Sequence, residues 1–184
     1  MESTIDCRKA TDSGKAENAA APYPFGIDCG LEAITGLQPP VLQALCTSAM
    51  EYTLATGQRL TVTSGRRTLH RMAELMASFS MEQLEGMYCR HGYPQYIRAI
   101  REARASGPVD ANETYHILHN RTEGYISMHL CGGAVDIATE GLREPETLCT
   151  ILQRNGFSTL DENELGIGCI HASFHSAQKT IVKD

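Results

Sequence analysis

The sequence lacks a basic excess, a paired cysteine motif, a long apolar leader and any internal repeat, and each absence removes a class of function. Lys and Arg number 16 against 22 Asp and Glu, for a net charge of -6. Nucleic-acid binders usually carry a basic footprint that offsets phosphate charge, so recognition of DNA or RNA is not expected. The densest positive stretch, Arg98 to Arg104, is interrupted by Ile100, Glu102 and Ala103, which predicts a solvated helix face. Cys7, Cys29, Cys46, Cys89, Cys131, Cys149 and Cys169 are odd in number and contain no CxxC pair. They fit neither a disulfide framework nor a thiolate zinc knuckle, so reduced thiols are expected, with Cys46 and Cys149 serving as small hydrophobes. The opening MESTIDCRKATDSGKAENAAAP has no apolar h-region. Neither a signal peptide nor a membrane span is predicted, and synthesis in the cytoplasm is the expectation.

What is present suits one domain: 184 residues, 42% of them hydrophobic, are enough to bury a core without disulfide staples. Residues 1–24, rich in Ser, Ala, Lys, Glu and Asp, read as a flexible tail, leaving 25–184 as the domain. Pro39 and Pro40 precede apolar residues at three and four residue steps, Leu42, Leu45, Cys46, Ala49 and Tyr52, and Gly57 closes that helix. RLTVTSG alternates as a strand running into a turn. Thr68 to Gly107 holds two or three helices whose methionines read as core filler. TYHILHN and EGYISMHL read as strand-like segments, GGAVDIAT as a short apolar strand, EPETLCTILQRNG as a helix stopped by Gly156, and GIGCIHASF as the last strand. The pattern predicts an α+β fold, a small antiparallel sheet with helices packed on one side and a helical insertion.

The segment that carries chemistry is Ser127-Met128-His129-Leu130-Cys131-Gly132-Gly133-Ala134-Val135-Asp136. Imidazole and carboxylate are both good zinc ligands, and the glycine pair lets the chain turn so that both side chains face one ion. Without a wider pattern, His129 and Asp136 read as a hydrogen-bonded structural pair more readily than as a site. The wider pattern is SxHxxGxAxD, met by Ser127, His129, Gly132, Ala134 and Asp136. It resembles the signature of the D-alanyl-D-alanine carboxypeptidase and Hedgehog-fold superfamily of zinc peptidases. The resemblance covers roughly Leu60 to Phe174 and includes an upstream SGxR, here Ser64-Gly65-Arg66-Arg67.

The resemblance implies a Zn2+ cofactor held by His129, Asp136 and a late histidine, with Ser127 beside them and Arg67 near the substrate's carboxylate or polarised carbonyl. The late histidine is His171 or His175. Relatives that carry GIG place theirs seven residues after its last glycine, which selects His175 and leaves His171 as a catalytic group for the oxyanion or the proton. One departure is plain: the glutamate that many relatives place three residues before the ligand is Gly168 or Ala172 here, and the aspartate others place two residues after it is Ser173 or Ala177. Asp161, Glu162 and Glu164 lie just upstream and read mainly as a charged loop. His70, His91, His116 and His119 have no counterpart and are expected in surface or core roles.

By resemblance the substrate is a peptidoglycan stem peptide cut next to a D-amino acid, by a carboxypeptidase or by an endopeptidase of the endolysin type. A wall-cutting enzyme without a leader is expected to leave the cell by holin-type lysis or a dedicated secretion system. The competing expectation, favoured by the missing glutamate, is a zinc-binding domain without catalysis that acts as a binding module or secreted effector.

Overall fold

The computed structural model describes residues 26–182. The tail assigned to residues 1–24 lies outside them. The described chain runs through β1 (Ile27–Asp28), α1 (Leu31–Ile34), α2 (Pro39–Thr56), β2 (Leu60–Ser64), α3 (Leu69–Ser78) and α4 (Met81–Tyr88). It continues through α5 (Gln95–Ser106), α6 (Ala111–His119), β3 (Ala134–Ala138), α7 (Pro145–Arg154), β4 (Phe157–Asp161) and β5 (Cys169–Phe174). Short 3-10 turns cover Met128–Cys131 and Asn163–Leu165. The fold is mixed α and β, and the described residues form seven helices and a five-stranded sheet in the order β1-β2-β3-β5-β4.

The sheet corrects the all-antiparallel expectation. The pairs β2–β3, β3–β5 and β5–β4 are antiparallel, but β1 joins the edge parallel to β2. A parallel neighbour needs a crossover, and α1 and α2 supply it. β4 was not anticipated, whereas EGYISMHL, expected as strand-like, is loop and 3-10 turn. TYHILHN is helical because the Asp110 side chain accepts from the Glu113 N–H at 2.8 Å and caps α6, while buried Leu118 packs inward.

Alternation of side chains gives the sheet two faces with different fates. Val135 and Ile137 of β3, Ile170 and Ala172 of β5 and Phe157 of β4 are buried in the main core with Leu45, Ala49 and Tyr52 of α2 and Leu148 and Leu152 of α7. The opposite parity, Asp136 on β3 and Cys169, His171 and Ser173 on β5, faces the other way. Helices α3 to α6, the insertion between Arg67 and His129, form a second core from Leu69, Met72, Met76, Leu84, Ile97 and Ile100 among others. Met72 and Met76 are core filler as expected. This core also seats Leu130, inside the motif. Arg101 and Arg104 are more than a solvated face: Arg101 pairs with Glu85, and Arg104 donates to the Met76 and Phe79 carbonyls at 2.8 and 2.7 Å, fastening α5 to the end of α3.

Candidate metal centre

His129 is aimed by the 3-10 turn Met128–Cys131. The Ser127 hydroxyl accepts from the His129 N–H at 3.3 Å at the start of the turn, and Gly132 ends it at φ +70°. A Cβ on Gly132 would stand 2.2 Å from the Gly36 carbonyl oxygen, so glycine is needed both for the left-handed turn and for that close approach. The SGxR loop docks on the same turn, with the Arg67 N–H donating to the His129 carbonyl at 3.0 Å. His129 Nδ1 lies 2.6 Å from the Gly65 carbonyl oxygen. Since that oxygen only accepts, Nδ1 carries the proton and Nε2 presents its lone pair.

The other two groups come from one row across the sheet. Ser64 of β2 pairs with Asp136 of β3, which pairs with His171 of β5. Directly opposed residues share a face. The register between Val62 and Ser64 shifts, a bulge that brings the end of β2 to Asp136. His171 Nε2 contacts the Ser173 hydroxyl at 2.8 Å, so an Nε2 proton donated there leaves Nδ1 free to face inward.

Three acceptors therefore converge: His129 Nε2 and His171 Nδ1 are 3.1 Å apart, and they lie 3.1 and 2.9 Å from Asp136 Oδ1. Two lone pairs and a carboxylate oxygen repel at that range unless a proton or a cation lies among them. Tetrahedral zinc with bonds of about 2.0–2.1 Å has donor separations of about 3.3 Å, close to the triangle seen. Among the described residues this is the one group of three or more His, Cys, Asp or Glu arranged to hold a metal ion. The donor set and spacing fit zinc, with two imidazoles and one carboxylate.

Electrostatics keep the donors in the state a metal needs. Burial holds His129 below the ordinary imidazole range, reinforced by Arg67 and His171 and opposed by Asp136, so the ring stays neutral. Burial pushes the Asp136 carboxyl up, but the close imidazoles of His129 and His171 and the Arg67 guanidinium outweigh it and hold it well below the usual range. Arg67 Nη2 pairs with Asp136 Oδ2, and Arg67 Nε donates to Ser64 Oγ at 2.8 Å. Arg67, expected against substrate, thus grips the outer oxygen of Asp136 while still lining the cavity.

The late histidine expected as a ligand, His175, is not in the cluster, and His171, expected as a catalytic group, takes its place. Register is the reason. Asp136 is opposite His171, and His175 is four residues on, about 13 Å along an extended chain. The strand ends at Phe174, where the exposed His175 turns away and donates its N–H to the Gly156 carbonyl.

The triad opens on a cavity of about 790 Å3 lined also by Ser127, Arg66, Arg67 and residues of the helical insertion. Glu162, expected in a charged loop, is only 7% exposed and lines this cavity. Its backbone is pinned to the start of β5 by its N–H donating to the Cys169 carbonyl at 2.9 Å, and its Oε2 accepts from Cys169 Sγ at 3.3 Å. Cys169 and His171 share a strand face, so the carboxyl stands about 7 Å along the sheet from the imidazole's strand position. Burial, with Asp136 adding to it, pushes the Glu162 carboxyl up against the opposing pull of His171 and Arg67. Tyr88, which carried no signal in the sequence, is also on the wall: burial keeps its phenol protonated, and its donor spends itself only on Met72 Sδ at 3.5 Å.

The remaining histidines stay apart from this centre. His116 and His119 lie on α6, where Tyr115 stacks on His70 with ring centroids 3.9 Å apart and meets both α6 imidazoles. No disulfide links the described cysteines. Among the described residues no helix is long and apolar enough to cross a membrane. Compared with protein-family models, curated proteins and solved structures, the chain matches none.

Proposed function

We propose that this chain is a zinc peptidase of the D-alanyl-D-alanine carboxypeptidase and Hedgehog-fold type, acting on peptidoglycan stem peptides next to a D-amino acid. The observation that supports it is the convergence of His129 Nε2, His171 Nδ1 and Asp136 Oδ1, within 3.1 Å of one another, at the wall of an open cavity. Three protein ligands leave one tetrahedral position for solvent or substrate, the pattern of a catalytic rather than a structural zinc. When bound, zinc supplies Lewis acidity toward a carbonyl and makes water acidic enough to attack at neutral pH.

The protein's own part follows from the geometry. His129 and His171 turn Nε2 and Nδ1 inward because the Gly65 carbonyl and the Ser173 hydroxyl engage their outer ring nitrogens. Arg67 keeps Asp136 ionised and fixed. Glu162 accepts the proton of the attacking water and hands it to the leaving amine, filling the role for which Gly168 offers no side chain; burial raises its pKa, which makes it a better proton acceptor than an exposed glutamate.

Purified full-length protein, assayed for bound metal and for cleavage of sacculi and of D-Ala-D-Ala with and without chelator, tests the proposal. One zinc per chain and chelator-sensitive cleavage support it. Stoichiometric zinc without turnover supports the second reading, a zinc-holding binding module, which the glycine at position 168 favours.

A further inference from the structure

The cavity that holds the triad does not end there. A second lobe of about 710 Å3 adjoins it, and the two share Met87, Tyr88, Tyr125, Ile126, Met128 and Ser173 as walls. Ser173 is the residue that touches His171, so the junction of the lobes lies beside the metal centre. Each lobe has the size of a ligand site in its own right. A groove that opens on a second lobe past its catalytic centre suits a chain that continues.

The second lobe also has a charge bias unlike that of the chain as a whole. Its wall includes Arg90 and Lys179, the imidazoles of His91 and His175, and the phenol of Tyr93. Arg90 is exposed and donates Nε to the Gly86 carbonyl at 3.1 Å, while Lys179 is exposed with its ammonium 5.0 Å from the centre of the Tyr125 ring. Neither is in an ion pair among the described residues. The one carboxylate on that wall, Glu123, is turned to the start of α5, where it accepts from the Gln95 N–H. Two cations without anionic partners among the described residues therefore edge a polar, aromatic lobe on a protein of net charge -6. Cations kept free at a concave site favour an anionic ligand there.

We propose that the groove takes an extended, acidic peptide that runs past the scissile bond into the second lobe, where a carboxylate of the peptide lies against Arg90 and Lys179. The enzyme then prefers substrates that carry an internal free carboxylate. This rests on the peptidase proposal for the word substrate, but the binding claim stands separately from catalysis.

The test uses the full-length chain, metal-free and zinc-loaded. Calorimetry on the metal-free protein measures binding of a pentapeptide ending in D-Ala-D-Ala with one internal free carboxylate, of its internal carboxamide analogue, and of the dipeptide D-Ala-D-Ala. The acidic pentapeptide is expected to bind about fivefold tighter than the amide, the scale of two partly exposed ion pairs. The Arg90→Ala/Lys179→Ala double variant is expected to lose that preference while its affinity for the amide changes less than twofold. Equal binding of acid and amide, or a preference that survives the double variant, overturns the proposal. Cleavage by the zinc-loaded protein separates the two claims. A selective binder that never cuts sinks the peptidase proposal and keeps the lobe. A protein that cuts D-Ala-D-Ala as well as the pentapeptide, without discriminating acid from amide, sinks the lobe and keeps the peptidase.

Discussion

Replacing His171 with alanine should cost far more zinc affinity than replacing His175, although both lie in the same short segment. A four-ligand zinc site is worth about 10–16 kcal/mol, so one protein ligand accounts for about 3 kcal/mol, or about a hundredfold in affinity. His171→Ala leaves only His129 Nε2 and Asp136 Oδ1 at the centre, and no other donor among the described residues completes the group. His175→Ala removes an exposed ring about 13 Å along the chain from that point and should change zinc affinity less than twofold. An intermediate loss is expected for Ser173→Ala, which deletes the acceptor 2.8 Å from His171 Nε2; losing such a supporting contact costs about tenfold or more. Competition against a chromogenic chelator at fixed pH ranks the three. The reasoning fails if His175→Ala releases the metal while His171→Ala keeps it, or if Ser173→Ala equals wild type.

Glu162→Gln should keep zinc but lower kcat by about 10²–10⁴, and the acid limb of the pH–rate profile, which in wild type lies above the ordinary glutamate value because burial raises that carboxyl, should vanish; an unchanged profile would remove Glu162 from the mechanism. Arg67→Ala breaks a largely buried ion pair with Asp136 and should destabilise the metal-free fold by about 3 kcal/mol. Zinc should then raise the melting temperature of that variant more than that of wild type, since the metal offsets the unpaired carboxylate; a smaller rise contradicts the charge-compensating role. The metal-free protein should also lose stability as pH falls below about 6.5, because the unfolded chain protonates its histidine there while the folded His129, held lower by burial, does not. Thermal melts from pH 8 to 5 check this against His129→Gln, which should show the weaker dependence.

Local signals made several elements legible before any coordinates. Pro39, Pro40 and Gly57 bracket α2, and Leu60 and Val62 alternate along β2. His129 and Asp136 were legible too, because a tight glycine turn between two ligand types leaves few other uses. β4 was hidden because FSTLD places Phe157 in the main core and Leu160 on the opposite face, with polar residues between. TYHILHN misled because Thr, Tyr and Ile favour strands, whereas the outcome was decided by the Asp110 cap and by packing between α3 and α6. The choice between His171 and His175 depended on which residue lies opposite Asp136, a register set by pairing between distant segments. Glu162 could not be recognised as buried, since what covers it comes from β5 and from across the cavity.

X-ray absorption at the zinc edge of the loaded, full-length protein tests the central claim most directly. The account predicts one zinc per chain with only nitrogen and oxygen neighbours at about 2.0–2.1 Å, including two imidazoles. A sulfur neighbour at about 2.3 Å would instead mean that Cys169 or Cys131 holds the metal, and failure to retain zinc would mean that the three donors are a hydrogen-bonded structural cluster.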